Sequence, residues 1–318
     1  MDSLGFPRPI MSFLTTVIPV YNGADFIERT LDSIAAQTRR PDRLVVLDDV
    51  STDSTRDLAA AYSKCEVEVI QNEKNLGLFP NHNRALDFAE ETDFLHIQHA
   101  NDLIKPDFYE ELLGCFDDGD SPAMAFCQYE IVGEEDELLE SPCRPDFAGR
   151  RKLGKQEFLS RQAELKPILI DAVIHRTGRR KSPRLFPLDY PQLGDVMFHA
   201  AWAVASEAIY ESSRTLCQFR RHQSSVSNAN TRKIQAWVVD EWRAIAEVSS
   251  MMDDRGLGRW LRMQKLQCLF SARTRVKMQM FRDQPDYARE IAEVGKGKVG
   301  GLQWMLGGLA VKLRDLRS

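Results

Sequence analysis

Four apolar residues, Leu44-Val45-Val46-Leu47, run without a break into two carboxylates, Asp48 and Asp49. A short unbroken apolar run suits a strand buried on both faces of a parallel sheet. Ser51, Thr52 and Asp53 follow, all good helix N-caps, and Arg56 to Tyr62 has helical spacing. The acid pair therefore stands at the carboxyl end of a strand, on a strand-to-helix turn. In open α/β sheets that edge is where ligands bind. A helix cap with one spare acid is the plainer account of the same stretch.

The flanking chain repeats the pattern. Residues 13–20 read as a first strand, closed by the Tyr21-Asn22-Gly23 turn, and Ala24 to Thr38 has helical spacing. Helices at about 53–63 and 81–89 alternate with strands at 67–70 and 94–98. This β-α-β alternation predicts a parallel sheet with right-handed crossovers. The strand at 94–98 also ends on polar groups, His99-Ala100-Asn101-Asp102, before a helix from Asp107 to Phe116. The two polar edges converge if their strands are neighbours. Further on, a strand is expected at 123–132, a short strand or loop at 216–222, and helices at 155–163 and 195–205, while 168–175 reads as an apolar run. Residues 133–152 are expected to form a mobile loop.

Charge is uneven along the 318 residues. The net charge is −5, yet the part from residue 231 onward carries +7 and the rest −12. Six scattered cysteines without a CxxC pair suggest reduced thiols rather than a zinc site or a disulfide framework. The first apolar run is too short and too broken for a signal peptide, and no run reaches the roughly 18 apolar residues that span a bilayer. The expected location is cytoplasmic, with peripheral contact at the inner face of the membrane. Residues 1–11 are expected to be a disordered leader.

Several blocks occur together in order: Val17-Ile18-Pro19-Val20-Tyr21-Asn22-Gly23, Ser33-x-x-x-Gln37, Asp48-Asp49-x-Ser51-Thr52-Asp53-x-Thr55, and Asn75-x-Gly77 with Asn83. They resemble the inverting family-two glycosyltransferases with the GT-A fold, over about residues 12–228. The resemblance implies an α/β, Rossmann-like, mostly parallel sheet flanked by helices over residues 12–230, with a helical extension over 231–318. It implies that Pro19 to Tyr21 lies along the base and ribose of a sugar nucleotide, and that the acid pair holds the base. A carboxylate can accept the ring N–H of a base. Either acid could face the ligand, Asp48 being slightly favoured over Asp49. Asn75, Gly77 and Asn101 join the nucleotide set.

In similar enzymes an Asp-x-Asp motif stands where this chain has His99-Ala100-Asn101, followed by Asp102. Of that block only Asp102 is a carboxylate. Manganese or magnesium would be weakly bound by Asp102 together with the diphosphate, because these ions accept waters and phosphate oxygens as the rest of their shell. His99 is a manganese ligand or a nucleotide contact, and a cap on the following helix is the plain account of Asp102. Phe219-Arg220-Arg221-His222-x-x-Ser225-x-Ser227 resembles the motif that closes the family's domain. It implies that Arg220 and Arg221 contact phosphate and that His222 ligates the metal. Leu193-Gly194-Asp195 resembles the acidic motif beside the acceptor. Asp195 is therefore the expected base, with Asp189 in reserve, although an acid in the first turn of a helix is also favoured by the helix dipole.

The implied activity is inverting transfer of a sugar from a nucleoside diphosphate donor, a UDP-sugar by preference, to a hydroxyl of a glycan or lipid-linked glycan in surface polysaccharide synthesis. The altered Asp-x-Asp block prompts an alternative, a non-catalytic nucleotide-sugar-binding scaffold. The basic tail either packs on the catalytic domain or a second copy of the chain, or docks at an anionic membrane. Its wide apolar faces favour packing. No nucleic-acid-binding motif accompanies the charge, and no GxGxxG follows the first strand, which sets dinucleotide oxidoreductases aside.

Overall fold

The structure is a computed structural model, and it describes residues 13–117, 122–143, 145–166, 168–178, 185–206, 208–222 and 232–315. The proposed leader, the basic run Arg179-Arg180-Lys181, and Ser225 and Ser227 lie outside the described residues. The chain divides into two compact units. The first comprises residues 1–155, 168–188 and 201–222, and the second 156–167, 189–200 and 223–318.

The first unit is built on one sheet. Its strands are β1 (Leu14–Val20), β2 (Arg43–Asp48), β3 (Glu68–Gln71), β4 (Phe94–Ile97), β5 (Leu103–Ile104), β6 (Met124–Val132), β7 (Leu138–Glu140), β8 (Arg150–Leu153), β9 (Val173–Arg176) and β10 (Ile209–Arg220). Their order is β3-β2-β1-β4-β9-β6-β10-β5, with β7 on β6 and β8 on β10. The pairs β2–β3, β1–β2, β1–β4 and β6–β10 are parallel, while β9 runs antiparallel between β4 and β6. The sheet is therefore mixed: its β3-β2-β1-β4 half is parallel, as expected, while β5, β7, β8 and β9 pair antiparallel. β1 is buried at every position, Thr15 and Thr16 included, and β2 at all but its first, as its unbroken apolar run requires.

The helices α1 (Ile27–Ala35), α2 (Thr55–Ala61), α3 (Leu78–Ala85) and α4 (Phe108–Leu113) supply the crossovers. The expected adjacency of the two polar strand ends is corrected by one strand: β1 lies between β2 and β4. Val20 pairs with Asp48, and Val17 with Ile97, so all three strands still end on the same edge. A second correction concerns residues 133–152. There β7 and β8 extend the sheet on β6 and β10 where a loop was expected.

The second unit holds α5 (Lys155–Ala163) from Gln156 and the first seven residues of α6 (Gly194–Val204). After a π-helical turn at Gln235–Val239 come α7 (Asp240–Ser250), α8 (Gly256–Met280), α9 (Pro285–Lys296) and α10 (Gly301–Asp315). Inside it the Lys277 ammonium is buried, ion-paired to Glu241 at 2.5 Å and 5.0 Å from the Trp237 ring centroid. Glycines set the spacing. A Cβ on Gly295 would fall 3.3 Å from that of Thr274, and one on Gly307 would fall 2.6 Å from that of Ser271. Among the described residues no helix is long and apolar enough to cross a membrane.

Candidate active site

The turns leaving β1 and β2 are laced together. Asn22 sits at a φ of 52° and donates its N–H to Ser51 Oγ at 2.9 Å, while its Oδ1 accepts the Thr52 N–H at 2.8 Å. Gly23 N–H donates to Thr55 Oγ1 at 2.8 Å, and Ala24 N–H to Asp53 at 3.1 Å. Between Asp49 and Ser51, Val50 is held at a φ of 62°. The left-handed region is unfavourable for a β-branched residue and tends to occur where function demands it. Tyr21 projects from this edge, half exposed, beyond Pro19 at the end of β1.

Asp48 and Asp49 do different work, and both are buried. Asp49 accepts Asn72 Nδ2 at 2.7 Å and the N–H groups of Leu76 and Gly77, both at 2.8 Å. Asn75 Nδ2 reaches the Asp49 carbonyl at 3.0 Å. The Asn75–Gly77 block is thus a loop clamped on Asp49, and Gly77, at a φ of 86°, leads into α3. Asp48 has longer bonds, 3.2 Å from the Ser51 N–H and 3.2 Å from Gln71 Nε2.

The β4 end forms the other side. A Cβ on Gly23 would lie 3.5 Å from Ala100 Cβ, so the β1 turn rests against the His99–Asp102 turn. Thr30 Oγ1 on α1 donates to the carbonyls of Ala100 and Asp102 at 2.9 and 3.0 Å. Within the turn, side chains diverge. Asn101 Nδ2 lies 3.1 Å from His222 Nε2. Asp102 is fully buried, accepts the Arg220 N–H at 2.7 Å, and lies 3.2 Å from His99 Nδ1.

Asp171 completes this group. It is fully buried on the 3-10 turn before β9, 3.7 Å from His99 Nδ1, and its Oδ2 accepts the Cys217 thiol at 3.3 Å. Its Oδ1 has no hydrogen-bond partner. Burial and the neighbouring carboxylate raise Asp171 to about 8, and burial raises Asp102 to about 6. Sequence reading took 168–175 only as an apolar run. The signal available was an acid inside that run, which is costly unless something pairs with it.

Ligand atoms of His99, Asp102 and Asp171 lie within 4.8 Å of one another. Two carboxylates and an imidazole suit manganese, and the hard oxygens also suit magnesium. The Asp171 oxygen without a hydrogen-bond partner agrees with that fit. His222, expected as a metal ligand, has its Nε2 against the Asn101 amide at 3.1 Å. Burial lowers the His222 pKa, which keeps the ring neutral and able to accept the Asn101 amide.

The arginines also separate. Arg220, expected at the phosphates, is fully buried. Its Nε donates to the Asn101 carbonyl at 2.7 Å, and Nη1 to the carbonyls of Gly133 and Glu134 at 3.0 Å. Its guanidinium is 5.0 Å from the Phe26 ring and paired with Asp136 at 2.5 Å. Such a group fastens loops and has little left to offer a phosphate. Arg221 is exposed, with one long ion pair to Glu140 at 3.6 Å.

Asp195 and Asp189 belong to the second unit. Asp195 stands in the first turn of α6, half-buried, its carboxylate 2.8 Å from the Val196 N–H. Asp189 is exposed and ion-paired to Arg243 at 2.6 Å.

Residues 15–183 match the family model described as Glycosyl transferase family 2. The chain is 30% identical over 141 residues to the Bacillus subtilis protein TuaG, provisionally named a teichuronic acid biosynthesis glycosyltransferase; the match covers 42% of this chain and 54% of that protein. It is 31% identical over 110 residues to the O-antigen chain rhamnosyltransferase WbaN of Salmonella anatum, covering 34% of each. The chain thus spans about half or less of the length of these curated relatives. Among solved structures, Staphylococcus aureus TarS 1–349 in complex with UDP-GlcNAc superposes with a TM-score of 0.57 at 16% identity, over 91% of this chain and 93% of that one.

Proposed function

The chain belongs to glycosyl transferase family 2, and on that premise we propose that it moves a sugar, with inversion, from a UDP-sugar to a hydroxyl of a glycan in surface polysaccharide synthesis. The observation that carries this reading is the shared carboxyl edge of β2, β1 and β4, with the acid pair on one side, Tyr21 in the middle and the His99–Asp102 turn on the other. In this reading Asp48 accepts the N–H of the base, while Asp49 shapes the Asn75–Gly77 loop around it. Tyr21 and Pro19 lie along the base and ribose. Arg221 can swing from its long ion pair toward the diphosphate. Manganese or magnesium held by Asp102, His99 and Asp171 would neutralise charge on the departing diphosphate as a Lewis acid.

Asp195 is the proposed base, taking the proton of the acceptor hydroxyl as the sugar–phosphate bond breaks. It is preferred to Asp189, whose carboxylate is already neutralised by Arg243. The names of the relatives, and the UDP-GlcNAc in TarS, support the class of donor and the type of product. The acceptor is a glycan or a lipid-linked glycan.

One observation favours a second reading. His99 and Asn101 replace acids that similar enzymes carry, so the chain could bind a nucleotide sugar without acting on it. The test is slow hydrolysis of UDP-sugars with manganese, preceded by a melting screen of nucleotides. Hydrolysis that disappears in Asp195→Asn, with nucleotide binding retained, supports the enzyme. Binding without hydrolysis for every donor supports the scaffold, and no stabilisation by any nucleotide ends both.

A further inference from the structure

The second unit carries an apolar surface that the proposed reaction does not use. On α10, Leu302, Met305, Leu306 and Leu309 are spaced at i, i+3, i+4 and i+7 and are between 41% and 61% exposed. On α8, Leu257, Trp260 and Leu261 repeat the pattern, between 54% and 70% exposed. Gln303, next to Leu302, is hydrogen-bonded to Gln264, one turn past Leu261. Each helix therefore leaves a continuous apolar stripe in water beside the other. A patch of this kind on a folded protein marks a docking surface.

Charge narrows the occupant. From Arg255 to Arg282 the chain has no Asp or Glu, and from Gly301 to Val311 it has no charge at all. Exposed cations stand at the ends of the stripes, outnumbering the exposed acids Asp253 and Glu293 beside them: Arg255 just before α8, Arg259 on it, Lys296 and Lys298 before α10, and Lys312 near its end. Arg255 and Arg259 make no ion pair among the described residues. A second copy of this basic face would be repelled by its own charge. An anionic bilayer supplies both an apolar layer for the leucines and opposite charge for the cations, and Trp260 suits the interface between them.

We propose that the exposed stripes of α8 and α10 dock the chain on an anionic lipid surface. The leucines and methionine enter the headgroup boundary, and the flanking lysines and arginines meet lipid phosphates. This goes beyond the sugar transfer and does not depend on it.

The test is co-sedimentation of the purified chain, without nucleotide, with vesicles of phosphatidylcholine alone and of seven parts phosphatidylcholine to three of phosphatidylglycerol. The native chain is expected to pellet with the anionic vesicles, to be released as salt rises, and to stay in solution with the neutral ones. Met305→Glu with Leu309→Glu is expected to weaken binding by on the order of tenfold or more. Arg255→Gln with Arg259→Gln is expected to weaken it by about fivefold per charge removed. Both targets are exposed, and a melting curve checks that the fold survives. If the α10 pair fails that check, Leu257→Gln with Leu261→Gln reads the same surface from α8. Equal pelleting with neutral vesicles, binding unchanged in the variants, or no pelleting at all overturns the proposal. So does a native dimer in light scattering that becomes monomeric in the α10 pair without any vesicle binding. Donor hydrolysis by a folded variant that no longer pellets would leave the transferase reading standing by itself.

Discussion

The main-chain N–H of Arg220 donates to the carboxylate of Asp102 at 2.7 Å, across 118 positions of sequence. This bond fastens the end of β10 to the turn after β4, and the Arg220 side chain then ties the Asn101, Gly133 and Glu134 carbonyls to the same point. A buried guanidinium with so many acceptors is structural. Removing it strands the acceptors without donors and leaves the Asp136 carboxylate without its cation.

Arg220→Ala should therefore destabilise the chain by roughly 1–3 kcal/mol for each buried carbonyl it leaves without a donor, while the Asp136 carboxylate, 40% exposed, adds little. Urea unfolding measures the loss. The remaining folded protein should bind UDP about as well as the native chain. A large loss of UDP affinity with native stability would mean that Arg220 reaches the phosphates after all.

The acid pair beneath His99 should make stability depend on pH. Both folded-state pKa values are raised, Asp102 to about 6 and Asp171 to about 8, chiefly by burial. A raised carboxyl binds its proton more tightly folded than unfolded. The stability it adds is complete below the ordinary carboxylate range and is lost as pH rises through the folded values. In the presence of a chelator, the melting temperature should fall between about pH 4 and pH 8. Asp171→Asn should flatten that slope, melt above the native chain at pH 8, and lose any stabilisation by manganese. Parallel slopes for the two proteins would refute the account.

How far the sequence could be read depended on local period. The runs Leu14–Val20 and Leu44–Leu47 bury nearly every side chain, so a mostly apolar stretch bounded by turn residues was a faithful sign of a central strand. β10 hid its first half because Glu211, Ser212 and Thr215 interrupt the alternation and the register shifts there. Those polar residues are satisfied by long-range partners, such as Arg151 at 2.8 Å from Glu211, which no local pattern reveals. α9 was passed over although Tyr287, Ala288, Ile291 and Val294 recur at helical spacing; with Pro285 at its start, that stripe was the usable signal. At the site, the acids at the strand ends were legible. Their division of labour was not, since Asp49 is committed to a loop 27 positions away and Asp171 comes from the 3-10 turn before β9.

Val50 offers a trade between stability and binding. An L-residue in the left-handed region costs roughly 1–2 kcal/mol, and glycine returns part of that gain as chain entropy, roughly 0.5–1 kcal/mol. Val50→Gly should leave stability unchanged or raise it by up to about 1 kcal/mol in urea unfolding. The turn that presents Asp48 and Asp49 would then be less preorganised, and UDP should bind severalfold more weakly by calorimetry. A marked fall in stability would show that Val50 is not strained.

The glycine pair in α10 gives the sharpest test of packing in the second unit. A Cβ on Gly307 would meet Ser271 Oγ and fall 2.8 Å from the Ala272 main-chain nitrogen, so the backbone of α8 itself would have to move. A Cβ on Gly308 would fall 2.8 Å from the Arg275 guanidinium, the end of a long side chain that can turn aside. That guanidinium lies 4.4 Å from the Trp304 ring centroid and donates to the Trp304 carbonyl at 3.1 Å, so turning it costs one stacking contact and one part-buried hydrogen bond. Gly307→Ala should thus destabilise by about 1–3 kcal/mol, as overpacking against a fixed backbone does. Gly308→Ala should cost less than about 1 kcal/mol, because alanine also favours the helix. Urea midpoints for the two variants in parallel decide it: equal midpoints, or the reverse order, would mean that α10 does not lie against α8 along Ser271 and Ala272.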